Sequence, residues 1–218
     1  AKVFKVGLIG CGHIAETYFR AHKYFNNFKI TKCADINQNA ANKCAKINKI
    51  KAVSIKELLS DTDIKIILNL TVPAAHYTVA KQALLNGKHV YSEKPLAINF
   101  QDGKKLIKLA KKKNLYVGNA PDTFLGGGSQ KSRDLLDKKV IGKVIFGNAI
   151  FAYPGIQSYH PNPESWFAKK GGGPVVDMGP YYLTALVNLL GPAKEVLSQS
   201  EKGKEKRVIG IGPKKGKK

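Results

Sequence analysis

The chain has 218 residues, 43% of them hydrophobic, and carries 37 Lys and Arg against 15 Asp and Glu, a formal net charge of +22. That length suits one full domain and most of a second, and no apolar run approaches the roughly 20 residues of a membrane-spanning helix. Only Arg20, Arg133 and Arg207 supply the side chain that reads bases and phosphates bidentately, and the lysines are spread among Asn and Ile, so the charge predicts weak, salt-sensitive attraction to polyanions and no specific nucleic-acid partner.

Residues 3–9 form an apolar strand that runs into Gly10-Cys11-Gly12-His13-Ile14-Ala15, followed by a helix to about Tyr24 carrying Ile14, Phe19 and Tyr24 inward. The sequence opens directly on this strand, without the layout of a signal peptide. The pattern is G-x-G-x-x-G/A in its required setting, a strand before and a helix after. Gly10 allows the tight turn, Gly12 lets backbone approach a pyrophosphate, and Ala15 lets helix and strand pack closely. The helix start at His13 and Ile14 offers free N–H groups and a positive dipole end to phosphates. A second strand, Lys29 to Ala34, ends at Asp35, 23 residues beyond Gly12. An acid there accepts hydrogen bonds from ribose hydroxyls and repels a 2′-phosphate, and no Arg follows it, so NAD is expected in preference to NADP. The alternative is a plain glycine turn, with Asp35 as an acidic cap for a helix at 37–48. Cys11, Cys33 and Cys44 are an odd count without metal-ligand spacing. They fit free thiols in a reducing cytosol, so a cytoplasmic location and no metal centre are expected.

The alternation continues with a short helix, Ile55 to Ser60, and a near-continuous apolar strand, Asp63 to Leu70, of the kind buried in parallel sheets. Pro73 is placed to start a helix from Ala74 to Asn86, with Thr71 and Pro73 at the ligand edge beside the nicotinamide half of a dinucleotide. His76, on that helix's first turn, is either a site residue or a packing residue. Gly87 to Tyr91 reads as a short buried strand that ends where Glu93, Lys94 and Pro95 arrive together. Proline ends ladder pairing and restricts the residue before it. Lys94 is thus a cation at a strand's C-terminal edge, where parallel sheets place their ligands, and desolvation weakens an ammonium's hold on its proton. It is a candidate base, or a surface lysine beside a turn proline. A Lys-rich helix, about Gln101 to Lys113, and a strand, Leu115 to Asn119, complete a doubly wound dinucleotide-binding domain over residues 1–120.

After Pro121 the texture changes, and residues 121–218 read as a partial second domain. A Gly-rich run at 126–128 leads into a helix to about Lys138, and Lys143 to Tyr153 alternates like a sheet strand. A loop rich in Tyr, Pro and Gly (153–174) holds His160 and the single tryptophan, Trp166. Gly171-Gly172-Gly173 then leads through Asp177 and Gly179 to a helix ending near Leu190, and Val196 to Ser200 reads as another strand.

With Gly10–Ala15, Gly87-Lys88-His89-Val90 leading to Glu93-Lys94-Pro95, and Gly171–Gly173 leading to Asp177-x-Gly179, the chain resembles the Gfo/Idh/MocA family of glucose-fructose oxidoreductase and inositol dehydrogenase. The resemblance implies an α/β fold: a Rossmann doubly wound parallel sheet followed by an α+β open-sheet domain, here incomplete. It implies a nicotinamide cofactor and a hydride transfer to or from a secondary alcohol or ketone of a sugar or cyclic polyol. Cofactor contacts fall on Gly10, Gly12, His13, Ile14, Asp35, Thr71, Pro73, His76, Glu93 and Lys94. The family's catalytic lysine is Lys94, its D-x-G aspartate is Asp177, and Tyr181 stands where many members carry a histidine. A phenol relays a proton when a nearby ammonium stabilises its phenolate, so Lys94 and Tyr181 would act as a coupled pair. Asp177, four residues earlier on the same helix face, would orient the pair or hold a substrate hydroxyl, or else be a plain cap of the helix that follows. Trp166 joins Lys94, Asp177 and Tyr181 as substrate-binding. Some members hold the Lys-Pro peptide cis, and full-length members form homo-oligomers through the second sheet. Members are longer than this chain, so a fragment is expected. The alternative reading is a truncated, non-catalytic dinucleotide-binding remnant.

Overall fold

Apolar strands alternating with amphipathic helices bury both sheet faces only when the strands run parallel and the helices cover either side. The computed structural model describes residues 3–160, 163–164, 172–201, 203 and 206–218, and they divide into two units, Ala1–Ala120 and Pro121–Lys218. In the first unit, β1 (Phe4–Ile9), β2 (Phe28–Ala34), β3 (Lys51–Ala52), β4 (Ile64–Asn69), β5 (His89–Ser92) and β6 (Val117–Asn119) form one sheet in the order β3-β2-β1-β4-β5-β6. Every pairing is parallel. The connections carry α1 (His13–Ala21), α2 (Gln38–Asn48), α3 (Ile55–Ser60), α4 (Pro73–Leu85) and α5 (Phe100–Lys112).

Successive residues along a strand face opposite ways, and β1 divides accordingly. Val6 and Leu8 pack with Ala15 and Phe19 of α1 and with Cys44 and Ala45 of α2. Ile9 turns to the other face with Leu58 of α3, Ala80 and Leu84 of α4, and Leu106 of α5. This is the doubly wound fold, with α1 and α2 on one side and α3, α4 and α5 on the other. Local signals set the helix starts. Ser54 and Glu57 form a reciprocal capping box on α3, Asn37 caps α2 through its side chain, and Pro73 occupies the first turn of α4.

Three expectations are corrected, and the alternative reading of Asp35 as a helix cap is set aside. The α1 segment does not turn Ile14 and Tyr24 inward: Ala15 and Phe19 are its buried residues, Ile14 is 37% exposed, and Tyr24, in a 3-10 turn beyond the helix, is 87% exposed. The cap of α2 is Asn37, not Asp35. In the second unit, neither 143–153 nor 196–200 forms a strand among the described residues, and Leu197 is fully exposed. Alternation supplies a face but not a ladder, and no described segment pairs with either stretch. Finally, Asp177 ends the helix Pro174–Asp177 while Tyr181 lies within a separate one, Gly179–Leu190, so the two do not share one helix face.

The second unit is otherwise organised by α6 (Gly127–Asp137) and the helix Gly179–Leu190. Arg133 of α6 donates to the carbonyls of Asn188 (3.0 Å) and Leu189 (2.6 Å), placing a cation on the last turn of Gly179–Leu190. The Lys/Gly-rich end returns to the 154–158 turn, where Gly210 N–H donates to the Gln157 carbonyl at 2.7 Å and Ile156 and Ile209 are both buried.

Gly10 and Gly12 differ in what a side chain would meet. Gly10 has φ +102°, and a Cβ there would lie 2.5 Å from the Leu70 carbonyl carbon and oxygen, whereas one on Gly12 meets nothing within 4 Å. Gly10→Ala should therefore lower folding stability by about 2–4 kcal/mol, from left-handed strain plus the clash, while Gly12→Ala stays within about 0.5 kcal/mol of the parent. Urea unfolding midpoints measure the contrast, and equal midpoints for the two variants would refute it.

Candidate functional site

The sheet order diverges between β1 and β4, so the chain leaves these neighbours in opposite directions and opens a crevice beyond their C-terminal ends. On the β1 side, Gly10 N–H donates to the Ala34 carbonyl at the end of β2, and Leu70 N–H donates to the Ile9 carbonyl at 2.8 Å. Asp35 pins the glycine turn: Oδ2 accepts Cys11 N–H at 2.7 Å and Oδ1 accepts Asn37 N–H at 2.8 Å. Gly12 is the cap residue of α1, whose first turn takes no side-chain cap, and space around it is open. Unsatisfied N–H groups at a helix start, under an open glycine, fit a pyrophosphate. His13 and the half-exposed Ile14 begin that helix.

Across the switch point a buried polar network holds the other wall. Asn69, fully buried at the end of β4, donates from Nδ2 to the His76 carbonyl (3.0 Å) and to Ser92 Oγ (3.2 Å). Its Oδ1 accepts from Thr71 Oγ1 at 2.7 Å. His76 is buried against two loops, with Nδ1 2.6 Å from the Pro95 carbonyl and Nε2 2.9 Å from the Thr71 carbonyl. The ring thereby clamps the turn after β4 to the turn after β5, beside Pro73.

Glu93 N–H donates to the Asn69 carbonyl at 2.9 Å, and Asn119 of β6 donates to the Ser92 and Glu93 carbonyls. The Glu93 carboxylate accepts from Tyr18 Oη of α1 at 2.9 Å and from Lys94 N–H at 3.0 Å, so it links the lysine turn to α1. Lys94 itself is 9% exposed, and its peptide with Pro95 is cis. The first unit thus brings Gly10, Gly12, His13, Ile14, Asp35, Thr71, Pro73, His76, Glu93 and Lys94 to one edge of the sheet.

Asn69, Tyr18, Ser92 and Asn119 were not singled out from sequence. Asn69 carried a signal, an amide ending the otherwise apolar run Ile66-Ile67-Leu68, where a polar group must find partners.

In the second unit, Asp177 lies close enough to Tyr153 for its charge to act there. Burial, the hydrogen bond with Tyr159 and that negative charge push the Tyr153 phenol up to about 12. Phe151 packs on both Tyr153 and Tyr182. Tyr153 and Tyr159 are additional candidate residues, hidden in sequence by a loop whose turns bring them together. Tyr181 lies in the first turns of Gly179–Leu190, and Trp166 and Gly171 lie outside the described residues.

The three cysteines, distant in sequence, converge beneath the glycine turn, with sulfurs within 4.8 Å of one another. Cys11 Sγ donates to the Ala34 carbonyl and Cys33 Sγ to the Ala41 carbonyl. The neighbouring Cys11 draws the Cys33 thiol below its ordinary range, the neighbouring Cys33 and burial hold Cys11 well above it, and burial pushes Cys44 up to about 11.

Among known proteins, residues 4–120 match the family model described as "Oxidoreductase family, NAD-binding Rossmann fold". Residues 129–210 match the "GFO/IDH/MocA C-terminal domain". The chain is 34% identical over 128 residues to trans-1,2-dihydrobenzene-1,2-diol dehydrogenase of Xenopus laevis, covering 59% of this chain and 38% of that protein. Its fold is similar to the WlbA dehydrogenase of Chromobacterium violaceum, solved with NADH and UDP-GlcNAcA (TM-score 0.73, 24% identity, 88% of this chain and 56% of that one). It is also similar to biliverdin reductase of Synechocystis, solved with biliverdin and NADP+ (TM-score 0.67, 26% identity, 88% and 59%). The chain therefore spans well under two thirds of each of these relatives.

Because the buried Asn69 side chain serves four groups, the Thr71 N–H at 3.4 Å being the fourth, Asn69→Ala should destabilise the first unit by about 2–4 kcal/mol, the cost of stranding buried partners. Ser92→Ala, which removes one hydroxyl contact, should cost about 1 kcal/mol. Denaturant midpoints of the two variants check the ranking, and an Asn69→Ala protein as stable as Ser92→Ala would contradict it.

Proposed function

The chain belongs to the Gfo/Idh/MocA family of oxidoreductases, and on that premise we propose that it transfers hydride between NAD and a secondary alcohol or ketone of a sugar or cyclic polyol. The observation that carries the reading is one sheet edge that holds both an uncapped, open glycine turn and, after β5, a buried lysine whose N–H is bonded to Glu93 beside a buried polar network. Gly12, His13 and Ile14 take the pyrophosphate on the α1 N-terminus, and Asp35 takes the adenosine ribose. Asp35 supports NAD over NADP, since a carboxylate beside a ribose hydroxyl repels a 2′-phosphate. Thr71, Pro73, His76 and Glu93 shape the nicotinamide end. When bound, the nicotinamide supplies the hydride-accepting ring.

In this reading Lys94 Nζ takes the hydroxyl proton in the oxidising direction and returns it to the carbonyl oxygen in the reducing one. Tyr181 relays the proton, and Asp177 orients the substrate, with Trp166 lining it. The dehydrogenase relatives support a CH–OH substrate. A second reading, a dinucleotide-binding protein without turnover, is favoured by one observation: the stretches 143–153 and 196–200 have no ladder partner among the described residues.

Two measurements test the proposal. NAD should bind at least about tenfold more tightly than NADP, roughly 1.4 kcal/mol. Asp35→Ala should narrow that gap and, because Asp35 also holds Cys11 N–H, weaken both cofactors; equal affinities in the parent would remove the ribose role. Lys94→Ala should keep NAD affinity within a few-fold while cutting turnover on a polyol panel by roughly 10²–10⁴, and Lys94→Arg should not rescue it, because guanidinium keeps its proton. Unchanged turnover in Lys94→Ala would sink the catalytic assignment. Tight NAD binding with no turnover on any polyol or sugar would favour the second reading.

A further inference from the structure

The three thiols occupy three different elements: Cys11 sits in the glycine turn, Cys33 on β2 and Cys44 on α2. Cys33 and Cys44 are buried and Cys11 half-buried, and none is in a disulfide. Strand β2 turns Cys33 toward the face covered by α1 and α2, where it shares a core with Cys44 and meets Cys11. Sulfurs within 4.8 Å of one another stand near the spacing of a trigonal metal site. With metal–thiolate bonds of about 2.3 Å, three sulfurs in a plane around one ion lie roughly 4.0 Å apart. A disulfide would need two of them drawn to about 2.05 Å, a much larger movement within a packed core.

The surroundings narrow the choice of ion. Among the described residues no histidine or carboxylate joins the cluster. Zinc prefers four ligands in a tetrahedron, whereas soft thiolate sets select copper(I). We propose that Cys11, Cys33 and Cys44 form a three-thiolate site for a soft, low-coordinate cation of the copper(I) class. Uptake releases thiol protons and draws Cys11 toward β2. Because Cys11 lies between Gly10 and Gly12, the filled site, with its net negative charge, opposes a pyrophosphate on that turn. This corollary rests on the proposed function; the site itself does not.

The test is anaerobic titration of the full, reduced, dinucleotide-free chain with copper(I) against a chromophoric copper(I) chelator, followed by X-ray absorption of the loaded protein. The expected result is one copper per chain with three sulfur neighbours near 2.3 Å. Cys11→Ser, at the least buried position, should weaken binding beyond the roughly 10–100-fold that losing a mere supporting residue costs. Copper held by nitrogen ligands, no uptake in competition with the chelator, or an unchanged affinity in Cys11→Ser would overturn the proposal. The spectrum of the unsubstituted chain decides the matter should a variant fold poorly. Dinucleotide titration with and without copper then reads the corollary separately: failure to bind dinucleotide at all counts against the proposed function, while the copper stoichiometry is judged on its own.

Discussion

Everything on the ligand edge of the sheet depends on how closely the end of β1 passes the Leu70–Thr71 peptide. Gly10 sits between β2 and β4, its N–H bonded to Ala34 and a virtual Cβ 2.5 Å from the Leu70 carbonyl. Any side chain there would push apart the two strands whose divergence makes the crevice. The same approach starts α1 at Gly12 with no side-chain cap, at a position where a Cβ would meet nothing within 4 Å. An anion-binding geometry therefore follows from a packing constraint, because the backbone can turn this tightly only where no Cβ intervenes.

The opposite wall works by a different economy. Asn69 and Ser92 on the sheet and His76 on α4 are polar groups in an otherwise apolar interior, and each is costly unless fully bonded. Their mutual bonds hold the ends of β4 and β5 and the start of α4 in one arrangement, so the turn carrying Lys94 has little freedom. Glu93 extends that rigidity to Tyr18 on α1, linking the turn that suits phosphates to the turn that carries the lysine.

The second unit is held by fewer such constraints. Arg133 on the carbonyls of Asn188 and Leu189 orders its two longer helices, and the Tyr153–Tyr159 contact beside Asp177 gives it a polar cluster. Its alternating stretches remain exposed because a strand gains its stability from partners, which composition alone does not supply.

Much of the first unit was legible in the residues. Gly10-x-Gly12, Asp35, Pro73 and Glu93-Lys94-Pro95 each announce a local event, a turn, a strand end or a helix start, and those signals are short-range. The doubly wound class followed from the alternation of strands and helices, whereas the order of the strands in the sheet came from the structure. What the sequence by itself could not determine were facts of convergence. Whether Ile14 or Ala15 faces the core depends on how α1 is rotated on the sheet. Asn69 and His76 gain their roles only when β4, α4 and the turn after β5 meet, and three cysteines at positions 11, 33 and 44 show no pattern until β2 and α2 pack beneath the glycine turn. Periodicity reports which side of an element is apolar, and only tertiary packing decides which side chains from distant elements share a site.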